Sequence, residues 1–331
     1  MMTSKTQALA GLYSGELQPI LDSLEEQRIQ VRNRALIAAA ISGPIALVLM
    51  LVLARAIGGA GIIFPLVLAL IGWGFAVNSA QQKYRSFFKS EVIARLAHIV
   101  DPTLIYQQSG GIDQASFRAS GIYRRGIDRY RAEDLFSGMV GATAFRFSEV
   151  HAEYKTTTTD SKGRRRTQWH TIFRGIFFIA DFNKHFHGQT FVLPDQAERA
   201  LGGFGRMLQD WGSKMDGRPG ELVQLEDPEF ERHFAVMSTD QIEARYILST
   251  SLMQRLTAFR EQLNTPVALS FVNSQINIAI STSKGYFEPP SIWRLEGTLS
   301  QEDVTAYFED VRLAEEIVAE LNLNTRIWSK Q

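Results

Sequence analysis

The sequence predicts an α+β protein: a two-helix transmembrane hairpin, then a cytoplasmic domain with largely antiparallel strands and packed helices. Three observations carry that prediction. Residues 35–54 and 56–82 contain no charged side chain, and only Arg55 separates the two runs. Beyond them the apolar period shortens to two, as in the alternating "TAFRFSEVHAEYKTTTT". The chain then returns to helical spacing near its end, in "VTAYFEDVRLAEEIVAELNL".

A helix rising 1.5 Å per residue needs roughly 20 apolar residues to cross the hydrocarbon layer. Either run is long enough, and one continuous helix would span about twice that thickness. Gly58 to Gly61, "GGAG", beside Arg55 favours a turn. Two spans follow, 35–54 and 57–77, within a hairpin of 35–77. The preceding polar residues and the length of the run exclude a signal peptide. Arg28, Arg32 and Arg34 precede the first span and Lys83, Arg85 and Lys89 follow the second, against Arg55 alone in the turn. Basic residues favour the cytoplasmic side, so both termini are expected there, in a multi-pass inner-membrane protein. With no Asp, Glu, Lys or His in either span, ion or proton transport has no residue to use. Gly43, Pro44 and Pro65 read as sites of close packing and kinking.

Residues 1–34 are expected to form a cytoplasmic helical segment with Ile20, Leu21, Leu24, Ile29 and Val31 as its apolar positions. Residues 78–115 form a stalk and linker, with Phe87, Phe88, Val92, Leu96 and Ile99 on one face and Asp101-Pro102 as its stop. Residues 116–331 form the α+β domain. In it, "DSKGRRR" turns a long hairpin whose second strand is "TQWHTIFRGIFFIADF". "TFVLPD" (Thr190 to Asp195) is a short strand, "AERALGGFGRMLQDWG" a short helix, and 212–220 a junction of two lobes. "ELVQLEDPEFERHFAV" reads as strand, turn and strand. Thr250 or Ser251 caps a helix through 262, carrying Leu252, Leu256 and Phe259 on its apolar face. Asn273 and Ser274 turn a second hairpin. Ser300 and Asp303 resemble a capping box with Asp in place of Glu, opening a helix that buries Val304, Phe308, Val311, Ile317 and Leu321.

The composition removes whole classes of chemistry. There are no cysteines, hence no disulfide scaffold, thiolate nucleophile or cysteine-ligated metal. The 331 residues balance 35 basic against 35 acidic side chains, so no nucleic-acid partner is expected. No phosphate loop or nucleophile elbow occurs, and "GGFG" (Gly202 to Gly205) lies in a helical stretch. His185 and His187, two apart on one strand face, would form a metal or catalytic cluster with a third ligand such as His170, His233 or Asp227; solvated polar positions explain them equally. Glu226, Asp227, Glu229 and Glu231 read first as a turn at Asp227-Pro228. The basic tip Lys162, Arg164, Arg165 and Arg166 is the strongest local charge feature. Near an anionic bilayer each such group is worth about 1 kcal/mol. No residue is assigned a catalytic or cofactor-binding role, and no cofactor is expected.

The stretches "FRGIFFIADFNKHFHGQTFVLPD", "LVQLEDPEFERHFAVMSTDQIEARYILSTSLMQRL", "LSFVNSQINIAIS", "FEPP" and "NLNTRIW" resemble the bacterial family known as domain of unknown function 3137, over roughly residues 80–330. The resemblance implies two membrane spans ahead of the domain and an inner-membrane setting. It implies no activity, cofactor or functional residue. The expected function is a membrane-tethered scaffold or adaptor, with the lipid bilayer, a membrane or cytoplasmic protein and further copies of itself as partners. The alternatives are a membrane-bound metal-dependent hydrolase and a small-ligand sensor.

Overall fold

The computed structural model describes residues 11, 13–58, 60–160, 162–182, 184–194, 220–282, 285–294 and 297–321. The expected helix after Asp195, all of the 212–220 junction but Gly220, the "GGFG" glycines and the "NLNTRIW" end lie outside these residues. The chain divides into two compact units. One comprises residues 1–100 with 287–309, the other 101–286 with 310–331. The first unit therefore takes back a segment that chain order assigns to the domain.

In the first unit a π-helical turn (Tyr13–Leu17) leads into α1 (Gln18–Ile57), and α2 (Ala60–Phe88) follows. Gly58 ends α1 at φ 69° and ψ −149°, a backbone conformation that suits glycine, its N–H still bonding the Ala54 carbonyl. Pro44 and Pro65 lie inside the helices. Both helices are long and apolar enough to cross a membrane. Their apolar side chains face outward: Ile41, Ile45, Val52, Phe64 and Leu70 are exposed, and Phe75 is 83% exposed. Burying one such side chain is worth roughly 1.5–3 kcal/mol, which an aqueous setting would forfeit along the whole run.

Toward its N-terminus α1 changes character. Leu17, Leu21, Leu24, Arg28, Val31 and Ala35 are buried. Their alternating spacing of four and three is the seam of a coiled coil. Leu21, Leu24 and Val31 stand where the periodicity puts them, while Ile20 and Ile29 are half-buried flanks. On the return helix Val77, Ala80, Tyr84 and Phe88 are buried. A second π-helical turn (Lys89–Ile93) then precedes α3 (Ala94–Val100). One extra residue rotates the following face by about 100°. The buried set accordingly continues as Val92, Ile93, Leu96, Ala97 and Val100, and Ile99 is only half-buried.

Arg28, 3% exposed, breaks the apolar seam. Its Nε and Nη2 donate to the two Glu25 carboxylate oxygens, each at 2.7 Å. Its Nη1 donates to the carbonyls of Ile292 (3.2 Å) and Arg294 (2.5 Å). The returning segment is thereby tied to the helices. It leads into α8 (Gln301–Glu320) through the capping box the sequence shows. Ser300 N–H donates to Asp303 Oδ2 at 2.9 Å and Asp303 N–H to Ser300 Oγ at 3.1 Å.

The second unit is built on one nine-stranded antiparallel sheet. Its strands are β1 (Ile105–Gln107), β2 (Arg129–Val140), β3 (Thr143–Thr159), β4 (Arg165–Asp181), β5 (Thr190–Pro194), β6 (Glu221–Val223), β7 (Phe234–Ser238), β8 (Val267–Val272) and β9 (Gln275–Ser281). Their order across the sheet is β1-β2-β3-β4-β9-β8-β5-β7-β6. Residues 173 and 175–180 of β4 are buried, as befits a central strand covered on both faces. The short helix α4 (Gln114–Ala119) places Phe117 in a core with Tyr123, Phe173, Phe177 and Phe191. At the β8–β9 turn Asn273 and Ser274 both hold positive φ (55° and 57°), the backbone of a tight two-residue hairpin.

Two sequence expectations need correction. The 221–236 stretch contains a helix, α5 (Pro228–His233), where a turn was expected: Asp227 caps it, and proline in the first turn suits a helix start. A further short helix, α6 (Gln241–Ile247), precedes α7 (Thr250–Leu263), whose N-cap is Ser249 and not Thr250 or Ser251.

Replacing Arg28 with alanine leaves the Glu25 carboxylate and two carbonyls without their donor, a loss of about 3–5 kcal/mol for a broken buried pair. Detergent-solubilised full-length R28A is expected to melt at lower temperature and to gain protease cleavage within 287–294. Unchanged melting and cleavage would contradict this account.

A second expectation concerns pH. Burial holds the His151 imidazole below its ordinary 6.5, with Glu153 opposing and Arg174, Arg131 and Arg129 adding to the depression. The unfolded chain therefore takes up this proton first. Stability is full above pH 6.5 and falls as pH drops toward the folded-state value. The melting temperature should decline between pH 7 and pH 5, and less steeply in H151Q.

Candidate functional site: the β3–β4 arm

The two longest strands outrun their neighbours. β2 follows β3 only as far as the Arg129–Glu153 pair, and β9 joins β4 only from Gly175 onward, opposite Ser281. From Tyr154 to Thr159 and from Arg165 to His170, β3 and β4 pair with each other alone among the described residues. At roughly 3.3 Å per residue the six residues of β3 make an arm about 20 Å long.

Local backbone chemistry marks where the arm departs. The register shifts between Ala152 and Glu153, whose partners are Phe173 and Thr171, so Ile172 is the extra residue of a bulge. Bulges bend a strand and sharpen its twist. Gly175 holds φ 150°, and a Cβ there would lie 2.0 Å from the Ile280 carbonyl oxygen. Only glycine lets β9 approach at this point.

The turn is organised by Asp160. Its Oδ1 accepts the backbone N–H groups of Lys162 and Arg164, both at 2.9 Å, and its Oδ2 accepts Arg164 Nε at 2.9 Å. These bonds, that from the Arg164 N–H foremost, hold its carboxyl below the usual carboxylate range. Gly163 supplies the positive φ, 75°, and donates to the Asp160 carbonyl. Residues 154–170 carry Lys155, Lys162, Arg164, Arg165 and Arg166 against Asp160, a net charge of +4. The basic side chains are all exposed.

Rings and cations clamp the base on both faces. On one, the Arg129 guanidinium lies 3.9 Å from the Trp169 ring centroid and bonds Glu153 at 3.1 Å, while the Lys155 N–H donates to Asp128 Oδ2 at 2.8 Å. On the other, Arg125 lies 4.2 Å from the Tyr154 ring. Tyr154 stacks on His170 at 4.8 Å, and Thr156 Oγ1 meets His170 Nε2 at 2.9 Å. Between clamp and tip, threonines at 156–159 and 167 favour extended backbone without needing burial. The basic face continues past the clamp through Arg131 and Arg174, which oppose His151 across β2 and β4.

The arm unites the basic tip residues Lys162, Arg164, Arg165 and Arg166. Arg125, Arg129 and Trp169 were missed by sequence reading. Only the alternation in "TQWHT" hinted that Trp169 shares a face with Thr167 and Thr171 rather than entering the core, and the register sets it opposite Lys155.

His185 and His187 do not lie on a strand. β4 ends at Asp181, and they occupy the loop before β5. That loop is pinned to α6: the N–H groups of His187 and Gly188 donate to Glu243 at 3.0 and 2.6 Å, and Lys184 Nζ donates to the Tyr246 carbonyl at 2.5 Å. Burial lowers the Lys184 pKa. Asp227 spends its Oδ1 on the N–H groups of Glu229 and Phe230, at 3.0 and 3.1 Å, and Glu231 accepts from Leu225 N–H. Among the described residues no three His, Asp or Glu side chains gather where a metal ion would sit.

Comparison with known proteins adds one family. Neither the curated proteins nor the solved structures compared with the chain contain a match. Residues 171–323, from the inner part of β4 to just beyond α8, match the family described as "Protein of unknown function (DUF3137)". The match is narrower than the 80–330 span of the resemblance, and it leaves out the apolar helices and the arm's tip.

Proposed function

We propose that the protein is a membrane-tethered adaptor that takes up an acidic, extended segment of a partner protein along the β3–β4 arm. The observation that carries the reading is the arm itself: two strands that no third strand flanks among the described residues, and a net charge of +4. An extended peptide adds to a free strand edge through main-chain hydrogen bonds, and opposite charge selects and steers it. The edge is kept from pairing with a second copy by its own basic side chains, since like charge opposes that approach.

The two apolar helices supply the tether in this reading, with both termini cytoplasmic. Arg28 and Lys89 are buried in the first unit, so they speak less for topology than for packing. Arg32, Arg34, Lys83 and Arg85 still outnumber Arg55 at the turn. Tethering concentrates the arm near partners of the same membrane. No catalytic step is invoked.

The test uses full-length protein in phosphatidylcholine nanodiscs with a fluorescent oligo-glutamate peptide as the probe. The K162Q/R164Q/R165Q/R166Q variant is expected to bind at least about tenfold more weakly at low salt, and wild-type binding should fall as ionic strength rises. Thr157→Pro, which leaves the charge intact but spoils the strand, should also weaken it. Equal affinity in the wild type and the fourfold variant would overturn the reading. So would binding to phosphatidylglycerol vesicles through these four residues with no peptide binding, an outcome that assigns the tip to lipid headgroups.

A further inference from the structure

The segment that returns to the first unit builds a pocket there. Residues 288–293 lie across the end of α2. Tyr84 Oη donates to the Pro290 carbonyl at 3.2 Å. Glu288 bridges two cations, Arg85 Nε at 3.1 Å and Lys89 Nζ at 3.4 Å. Beneath the loop, Arg28 holds the Ile292 and Arg294 carbonyls. The cavity measures about 340 Å³, and Gln81, Tyr84, Arg85, Glu288, Ser291 and Trp293 contribute to its walls.

Position, charge and ring chemistry agree on one ligand. The second apolar span ends near Val77, and Gln81 to Arg85 follow it by four to eight residues. At 1.5 Å per residue that is roughly 6–12 Å beyond the hydrocarbon edge, the depth of lipid headgroups. Among the described lining residues Arg85 is the one cation and Glu288 the one carboxylate, and the buried Lys89, outside the cavity wall, offsets that carboxylate. Arg85 engages Glu288 through Nε while its side chain remains 58% exposed, leaving the guanidinium fork accessible for bidentate contact with an oxyanion. Trp293 is 49% exposed at the rim. An amphipathic indole of this kind is favoured at a membrane interface.

We propose that this pocket seats the phosphate of a phospholipid headgroup, with Arg85 as its principal donor and Trp293 against the glycerol and upper acyl region. The inference rests on the membrane-tether reading. It gives the returning loop a role: the lipid fastens the 288–293 segment where the span leaves the bilayer.

Full-length protein is reconstituted into nanodiscs of phosphatidylglycerol and, separately, into nanodiscs rich in a phosphate-free galactolipid. Lipid retained per chain is then counted by native mass spectrometry. Wild type is expected to retain phosphatidylglycerol and not galactolipid. R85Q and W293A should each lower the retained lipid, R85Q by about tenfold in affinity for loss of a charge-assisted contact. Equal retention by wild type and R85Q, or of the two lipids, overturns the pocket assignment. Inorganic phosphate held through Arg85 by wild type that retains no phosphatidylglycerol overturns it too, in favour of free phosphate. Alkali-resistant association of wild type with vesicles is scored in parallel. Its failure removes the tether reading, whereas association with unaltered R85Q retention removes the pocket alone.

Discussion

Every strand of the sheet hangs, directly or through a neighbour, on the pairing of β3 with β4. On one side β2 and β1 build outward from β3; on the other β9, β8, β5, β7 and β6 build outward from β4. The shared pair runs from Phe145–Ala180 to Thr159–Arg165, longer than either flank. Where β9 flanks β4, residues 175–180 are buried on both faces, and beside β2 residues 145–153 of β3 are buried or half-buried; where the flanks stop, the same two strands become polar and exposed. The arm is therefore the continuation of the most firmly held pair in the domain.

That continuity answers an energetic difficulty. A two-stranded hairpin alone in water is marginal at best, because it orders backbone without removing much apolar surface from solvent. Here the ordering cost is met at the root, where Phe173, Ile176 and Phe177 are locked in the core. Arg129 over Trp169 and Arg125 over Tyr154 then contribute about 0.5–1 kcal/mol each at exposed sites. Asp160 fixes the turn by hydrogen bonds that an isolated basic loop would lack. The result is charge presented on paired backbone, and ordering a group in advance lowers the entropy that a binding event costs.

The sequence disclosed what depends on neighbours in the chain. Ser300 with Asp303 forms the capping box, Asn273 and Ser274 form the turn, and the "DSKGRRR" hairpin is there because these effects are local. Asp227 misled for the same reason in reverse: Asx-Pro suits a turn and a helix start alike, and Glu229 and Phe230 N–H groups decided for the helix. What stayed hidden depends on residues far apart. Arg28 counted as a membrane-flanking cation, although its heptad position between Leu24 and Val31 pointed inward. Nothing near "FEPPSIW" reveals that its carbonyls meet a guanidinium more than 260 residues earlier. Likewise Arg129 and Trp169 meet only because β2 ends where the arm begins.

Arg28 also shows why a charge is worth burying in this seam. Leucine or valine there would extend the apolar stripe, and such a stripe accepts many partners in many registers. A guanidinium offers five donors in a fixed plane. Glu25 takes two N–H bonds and neutralises the charge, and the Ile292 and Arg294 carbonyls take the next two. Replacing the pair by apolar side chains need not cost stability, since desolvating two ions offsets much of their attraction. What an apolar seam lacks is a preference for one backbone segment in one register. The buried fork supplies it, because residues 292–294 present two carbonyls at the spacing the guanidinium requires, and a slipped loop would leave donors buried without acceptors.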